Sequence, residues 1–457
     1  MPEIRIEEVP PSEQRRFERV GLHSHIKGLG VRDGKVQFMA DGFVGQIEAR
    51  EAAYYVVKLI KEGKFGGKAV LIVGPPGTGK TAIAIGIARE LGPDTPFVQL
   101  SGAEIYSIEV KKTEFLMRAL RRAIGIRIRE RRKVYEGVVK SIDFRYGRHP
   151  YNPYLQIPVG ATIRLKTRDD EKTLRVPEEV AVQLIELGVQ EGDIIMIDAE
   201  TGRVIVEGRS EEEASEKYDI TVKRRVEIPK GPVFKEKEIV RFFTLHDLDM
   251  YFARQQGLVS AMLFGFAIEE REIPSEIRKA TDEQVRKLIE EGKGELVPGV
   301  LFIDDAHMLD IEAWAFLSRA MESELSPIII LATNRGLAKV RGTDEVSPHG
   351  VPLDMLDRLI IIKTRPYTEE EAREIIKIRA REEKVTLTED ALEALTKIAL
   401  EHSLRYAIQL LAPAQVRAKE LGKSKVDRED VEYVKKLFMS VKESVEYVKQ
   451  YEHLLLK

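Results

Sequence analysis

Five short, unbroken apolar runs mark the chain, at Ala69–Val73, Phe97–Leu100, Val300–Ile303, Ile328–Ala332 and Leu359–Ile362. Runs of this length without alternation are expected of strands buried on both faces of a parallel sheet. The first ends at Gly74, and the residues after Thr81 carry apolar positions at helical spacing until Gly92, so strand, loop and helix follow in order. A further helix is predicted to end near Ile126. Beyond it the pattern turns short and alternating, at Thr162–Lys166, at a pair Ile194–Asp198 and Arg203–Glu207 joined by residues 199–202, and at Ile220–Lys223. Such closely spaced short strands predict a small β-barrel. From about Glu236 to Glu295 the pattern reads as helical, and the helix Asp282–Glu291 followed by Gly292 and Gly294 marks a return to the sheet. Past Pro366 it is helical throughout, interrupted at Pro413 and Gly422. The expected organisation is an α/β core from residues 1–126 and 296–365, an insertion over 127–295 with its barrel at about 127–235 and a helical return over 236–295, and an α-helical domain over 366–457.

The loop after the first run reads GPPGTGKT, Gly74–Thr81. Eight consecutive residues match a phosphate-binding loop, set between strand and helix as such a loop must be. The backbone N–H groups of Gly74, Gly77, Thr78 and Gly79 can cradle phosphates, with Pro75 and Pro76 shaping the turn. Lys80 adds a point charge and the Thr81 hydroxyl can ligate Mg²⁺. Asp304, which ends the run Val300–Ile303, is the acidic residue expected to hold that Mg²⁺, and Asp305 beside it is the candidate general base. Asn334 closes the run Ile328–Ala332, where a polar side chain can orient the attacking water. Asp304 stands 224 positions after Lys80, whereas two βαβ units would need only about 60. Either this pairing is false or a whole domain is inserted into a nucleotide-binding core.

At 457 residues, with 43% apolar and 33% charged residues, the chain has the composition of a soluble protein of several domains. Its longest apolar runs are far shorter than the ~18 residues that span a bilayer, and the start MPEIRIEEVP lacks the features of a secretory leader. A cytoplasmic protein without membrane contact is expected, with nucleoid association following if it binds DNA. There is no cysteine, and asparagine occurs only twice, at Asn152 and Asn334, in a chain rich in Glu, Lys and Arg. That bias fits a protein working hot. The net charge of −3 gives no global attraction to nucleic acid, so any such binding needs a local patch.

With these pieces in line, the chain closely resembles the RuvB-like AAA+ ATPases, the pontin and reptin family of DNA helicases. The resemblance runs through HSHIKGLG at His23–Gly30, DGFVGQ at Asp41–Gln46, FTLHDLD at Phe243–Asp249, LVPGVLFID at Leu296–Asp304, HMLDIE at His307–Glu312, TNRG at Thr333–Gly336, SPHGVPLDMLDR at Ser347–Arg358 and SLRYAIQLL at Ser403–Leu411. It implies a P-loop AAA+ core with a five-stranded parallel sheet, an inserted OB-like barrel and a C-terminal helical lid, binding ATP or ADP with Mg²⁺. It also implies that Asn334 is sensor 1, Arg405 is sensor 2, and Arg358 is an arginine finger given in trans, hence a homo-oligomeric, hexameric ring. His23, His25, Gly45 and Gln46 become candidates for the base and ribose pocket. One departure is visible: the family pairs its metal-holding aspartate with glutamate, whereas Asp305 is one methylene shorter. Misplacing a catalytic group by about 1 Å can cost ~10²-fold, so retained but modest ATPase activity is expected.

The insertion opens basic. Between Arg127 and Asp170 stand eleven Lys or Arg against five Asp or Glu, a local excess of six, with Tyr135, Phe144, Tyr146, Tyr151 and Tyr154 interleaved. Cations beside aromatic platforms suit single-stranded nucleic acid, with Arg131, Arg132, Lys133, Arg145, Arg148 and Tyr146 as candidates. A solvated barrel face that docks protein clients fits the same residues. Two functions thus stand: an ATP-driven DNA helicase or translocase, and a nucleotide-regulated assembly scaffold.

Overall fold

The computed structural model describes residues 25–106, 110–148, 156–210, 225–264 and 272–451. His23, Tyr151, Tyr154 and the segment Ile220–Lys223 lie outside the described residues. The chain divides into two compact units, one made of Met1–Ile126, Phe243–Gln284 and Leu296–Lys457, the other of Arg127–Phe242 and Val285–Glu295.

In the first unit the five apolar runs form one parallel sheet. Its order is Leu359–Lys363, Ala69–Val73, Ile328–Thr333, Val300–Asp304 and Phe97–Ser101. Alternate side chains feed two cores: Val70, Ile72, Phe302, Ile330 and Ala332 pack under the helices Ile47–Lys61 and Lys80–Leu91, while Leu71, Leu301, Ile303, Ile329 and Leu331 pack under Lys112–Arg122 and Ile311–Met321. Burial on both faces is why these strands read as unbroken apolar runs. Register aligns Val73 with Lys363 and Thr333, and Asp304 with Ser101, so the phosphate loop, Asp304, Asn334 and Thr364 all emerge at one edge of the sheet.

Six helices between Glu369 and Tyr451 follow, of which five enclose an aliphatic core around Ile376, Leu395 and Leu411. The helix Glu369–Glu382 begins in a capping box of Thr368 with Glu371. Pro413 interrupts the helical pattern as expected: the helix Leu404–Gln409 ends before it, and Pro413 sits in the first turn of the next, Leu411–Glu420, where its missing N–H costs nothing.

The second unit is a mixed sheet of eight strands organised on Ile124–Arg148, a strand of 25 residues. Two expected boundaries move. The helix expected to end near Ile126 stops at Arg122. Residues 236–244, expected to be helical, belong to the strand Phe234–Thr244, whose burial alternates because Lys235 and Lys237 turn together toward the buried carboxylate of Glu136; the helical return begins only at Leu245. Among the described residues no helix is long and apolar enough to cross a membrane.

The loops before the first helix are organised by a buried cation. Arg50 is fully buried, and its guanidinium donates to the carbonyls of Leu29 at 2.8 Å, Gly45 at 2.9 Å and Gly30 at 3.4 Å while lying 5.1 Å from the Phe43 ring centroid. Burial pushes its pKa down to about 10 against the pull of Asp41. Arg50→Met would leave these carbonyls without donors. It is expected to destabilise the protein by about 3 kcal/mol, measured as a lower urea midpoint at unchanged slope.

Candidate active site

At the sheet edge defined above lies a cavity of about 550 Å³. The phosphate loop forms its floor. Gly77 and Gly79 take positive φ of 75° and 84°, and a Cβ at Gly79 would come 2.5 Å from the Tyr367 hydroxyl, so this loop accepts only glycine there. Lys80 caps the loop, its ammonium donating to the carbonyls of Gly74 at 3.0 Å and Pro75 at 2.8 Å. Burial lowers its pKa while Asp304 and Asp305 pull it back up. Thr78 points inward, bonding the Pro75 carbonyl at 2.8 Å and the Thr364 hydroxyl at 2.7 Å.

Asp304, Asp305 and Asn334 line the same cavity, as do Thr81 and Arg405. Asp305 stands in the left-handed region at φ 49°, ψ 47°. The turn is held on both sides: the Asp305 N–H donates to Asp304 Oδ1 at 2.9 Å, and the Asp305 carbonyl accepts from Met308 at 2.9 Å. A Cβ at Gly102 would come 2.5 Å from that carbonyl, so only glycine lets strand Phe97–Ser101 run so close. His307, named in the sequence only as the start of a motif, joins this strand end to the next through a 3.3 Å contact of Nδ1 with the Thr333 hydroxyl. Burial lowers its pKa against the pull of Asp305. Arg405 reaches the cavity from the lid helix Leu404–Gln409, N-capped by Ser403.

Of the four base-pocket candidates, His25 lines the cavity, with its pKa lowered by burial and by Arg379. Gly45 and Gln46 do not. The Gln46 carboxamide is 2% exposed and spent on the main chain of Arg365, donating to its carbonyl and accepting from its N–H at 3.2 Å. The residues just before them, Gly42, Phe43 and Val44, form the wall instead, facing Ile375, Leu404 and Ile408 of the lid. Those three were missed because apolar positions on a helix satisfy an ordinary core pattern equally well. Tyr367 was also missed; burial raises its pKa, keeping the phenol neutral.

Arg358 is absent from this cavity. It precedes the strand Leu359–Lys363, whereas Thr364, just after that strand, touches the phosphate loop. Five residues of strand, roughly 16 Å, separate the two edges.

The candidate nucleic-acid residues do not form one patch. Arg132 is committed to Glu130 at 2.7 Å and Asp198 at 2.9 Å. Asp198 is held at about 2: burial would raise it, but the N–H groups of Thr201 and Glu200 together with Arg132 outweigh that. Arg131, Lys133, Arg145 and Tyr146 are exposed, but successive residues of a strand face opposite ways, which splits Arg145 from Tyr146. A bulge between Val139 and Ser141 also inverts the phase between the two basic groups. Arg148 lies at the end of the same strand.

Strand order, phosphate loop, acidic pair and helical lid together define a P-loop AAA+ ATPase. Comparison with known proteins gives the family. The TIP49 P-loop domain matches residues 19–370 and the TIP49 AAA-lid domain residues 375–440. RuvB-like helicase 1 of Kluyveromyces lactis is 44% identical over 99% of this chain and 100% of its own length, and RuvB-like protein 1 of Arabidopsis thaliana is 46% identical over 97% of each. The chain belongs to the TIP49 family of RuvB-like ATPases, the pontin and reptin family.

The left-handed backbone at Asp305 makes a clean test of its carboxylate, since asparagine tolerates this conformation as well as aspartate does. Asp305→Asn is expected to lower kcat for ATP hydrolysis by about 10²-fold or more with ATP binding retained. Phosphate release and equilibrium nucleotide binding measure the two; an Asn variant as fast as the parent rules out a base at this position.

Proposed function

We propose that this ATPase is a ring motor, a homohexamer that hydrolyses ATP to ADP and phosphate and spends the energy as a helicase or translocase on DNA. The observation that carries the ring is the position of Arg358. A phosphoryl transfer site needs cations on the migrating charge, and Arg358 stands at the sheet edge away from its own phosphate loop, where only a neighbouring subunit's nucleotide can meet it.

In this reading the phosphate loop and Lys80 hold the β- and γ-phosphates, and the base enters between Phe43 and Ile408 with His25 beside it. Asp305 polarises the attacking water, taking its proton, and Asn334 holds that water in line with the γ-phosphate. Arg405 and the partner's finger neutralise charge on the transferred group. Thr81 and Asp304 fit Mg²⁺, because this ion takes one or two hard protein oxygens and completes its shell with phosphate and water. Held there, the ion would neutralise phosphate charge.

The DNA assignment is supported by the printed names of the helicase relatives. The long bulged strand, shared by four pairing partners, supports an OB-type barrel in the insertion. The scaffold alternative predicts nucleotide-dependent assembly without strand displacement or DNA-stimulated turnover.

Two outcomes are expected. Arg358→Ala should lower kcat by about 10³-fold or more with ATP affinity intact, and mixing it with Lys80→Ala should restore hydrolysis, because each supplies what the other lacks. Sizing with and without ATP monitors the ring; absence of rescue in mixed rings removes the trans assignment. Separately, binding of a labelled single-stranded oligonucleotide by the full chain should fall steeply with salt, and no binding at low salt removes the DNA role.

A further inference from the structure

Arg358 is already held by a specific group in its own subunit. Its Nη1 donates to a carboxylate oxygen of Glu322. Glu322 is the C-cap of the helix Ile311–Met321, with its own N–H bonded back to the carbonyls of Arg319 and Ala320, so the carboxylate springs from a rigid helix end. The other end of that helix is N-capped by Asp310, whose side chain accepts from Ala313 at 3.0 Å, five residues after Asp305. The side chains of Arg358 and Glu322 are 41% and 59% exposed. An ion pair this wet contributes little to stability, so the fold does not depend on it. It does fix the direction of a long, flexible side chain whose use requires aim. Glu322 is absent from the nucleotide cavity and touches the reaction only through Arg358.

The geometry points to Glu322 as the positioning residue of the arginine finger. It grips one N–H of the guanidinium fork and leaves the remaining donors of that planar group directed outward, toward the γ-phosphate bound by the next subunit. This inference rests on the reading of Arg358 as a trans finger. Preorganisation of this kind acts on the transition state, where charge builds on the phosphoryl group, and not on ATP binding to the ground state.

The test is a cycle of four full-length proteins: the parent, Glu322→Ala, Arg358→Ala and the double variant, with Glu322→Gln added. Glu322→Ala is expected to lower kcat roughly ten- to hundredfold with the KM for ATP, ATP affinity and ring size unchanged. Glu322→Gln, which keeps an acceptor oxygen in place, should recover part of the loss and carries the test if the alanine variant does not fold. In the Arg358→Ala background, removing Glu322 should cost nothing further. An equal further loss in that background, or an unchanged or raised kcat in both Glu322 single variants, overturns the positioning role. The finger reading fails by a different result: Arg358→Ala forming rings with undiminished kcat.

Discussion

A pair of hydroxyls, Thr364 against Thr78 at 2.7 Å, joins the two halves of the nucleotide site. Thr78 belongs to the phosphate loop and Thr364 opens the segment that leaves the last core strand for the lid. The next residues extend the join. The Arg365 main chain is clamped by the Gln46 carboxamide, and its guanidinium forks onto Glu371 at 2.8 and 2.7 Å. Glu371 in turn closes the capping box that starts the first lid helix. Tyr367 lies over Gly79. Phosphate loop, N-terminal loops and lid thus meet in eight residues, and any ligand that moves the loop pulls on the start of the lid.

The cost of this arrangement is carried by buried charge. Among the described residues the hydrogen-bond partners of the Arg50 guanidinium are carbonyl oxygens, so its desolvation is offset by hydrogen bonds whose geometry the glycine-rich loops must maintain. Glu371 is 2% exposed and survives because Arg365 and the helix N-terminus both favour its ionised form. The two groups share a neighbour in Gly45: its carbonyl accepts from Arg50, and a Cβ there would overlap the Glu371 carboxylate. Gly45 and Gln46 therefore build the pocket without lining it, which is why a motif can mark them while their side chains, or lack of one, never meet the base.

What could be read from the sequence followed burial. The five core strands were legible because both faces are covered, so no phase had to be assigned. The strand Ile124–Arg148 was not, since eleven of its 25 positions are charged and it changes phase at a bulge that no residue type announces. Lys237 stands in a charged stretch that reads as helical; its partner Glu136, shared with Lys235, lies about a hundred positions away, and the pairing exists only in the folded sheet. The same applies to the candidate cations of the insertion, where the Arg132 commitment to Asp198 depends on register. Phosphate-site residues were legible because loop chemistry demands particular residue types. The apolar wall of the base pocket was not, because any aliphatic side chain serves it.

Asp305 gathers these threads. A non-glycine residue in the left-handed region costs on the order of 1–3 kcal/mol, and aspartate is among the few side chains that meet this cost with local hydrogen bonding. Glutamate in the same turn would reach further but hold the conformation less readily. The shorter acid thus shifts the balance from reach toward a fixed backbone, with Gly102 packed against its carbonyl and Asp304 bonded to its N–H. Asn334 from the neighbouring strand end and Arg405 from the lid line the same cavity as this carboxylate.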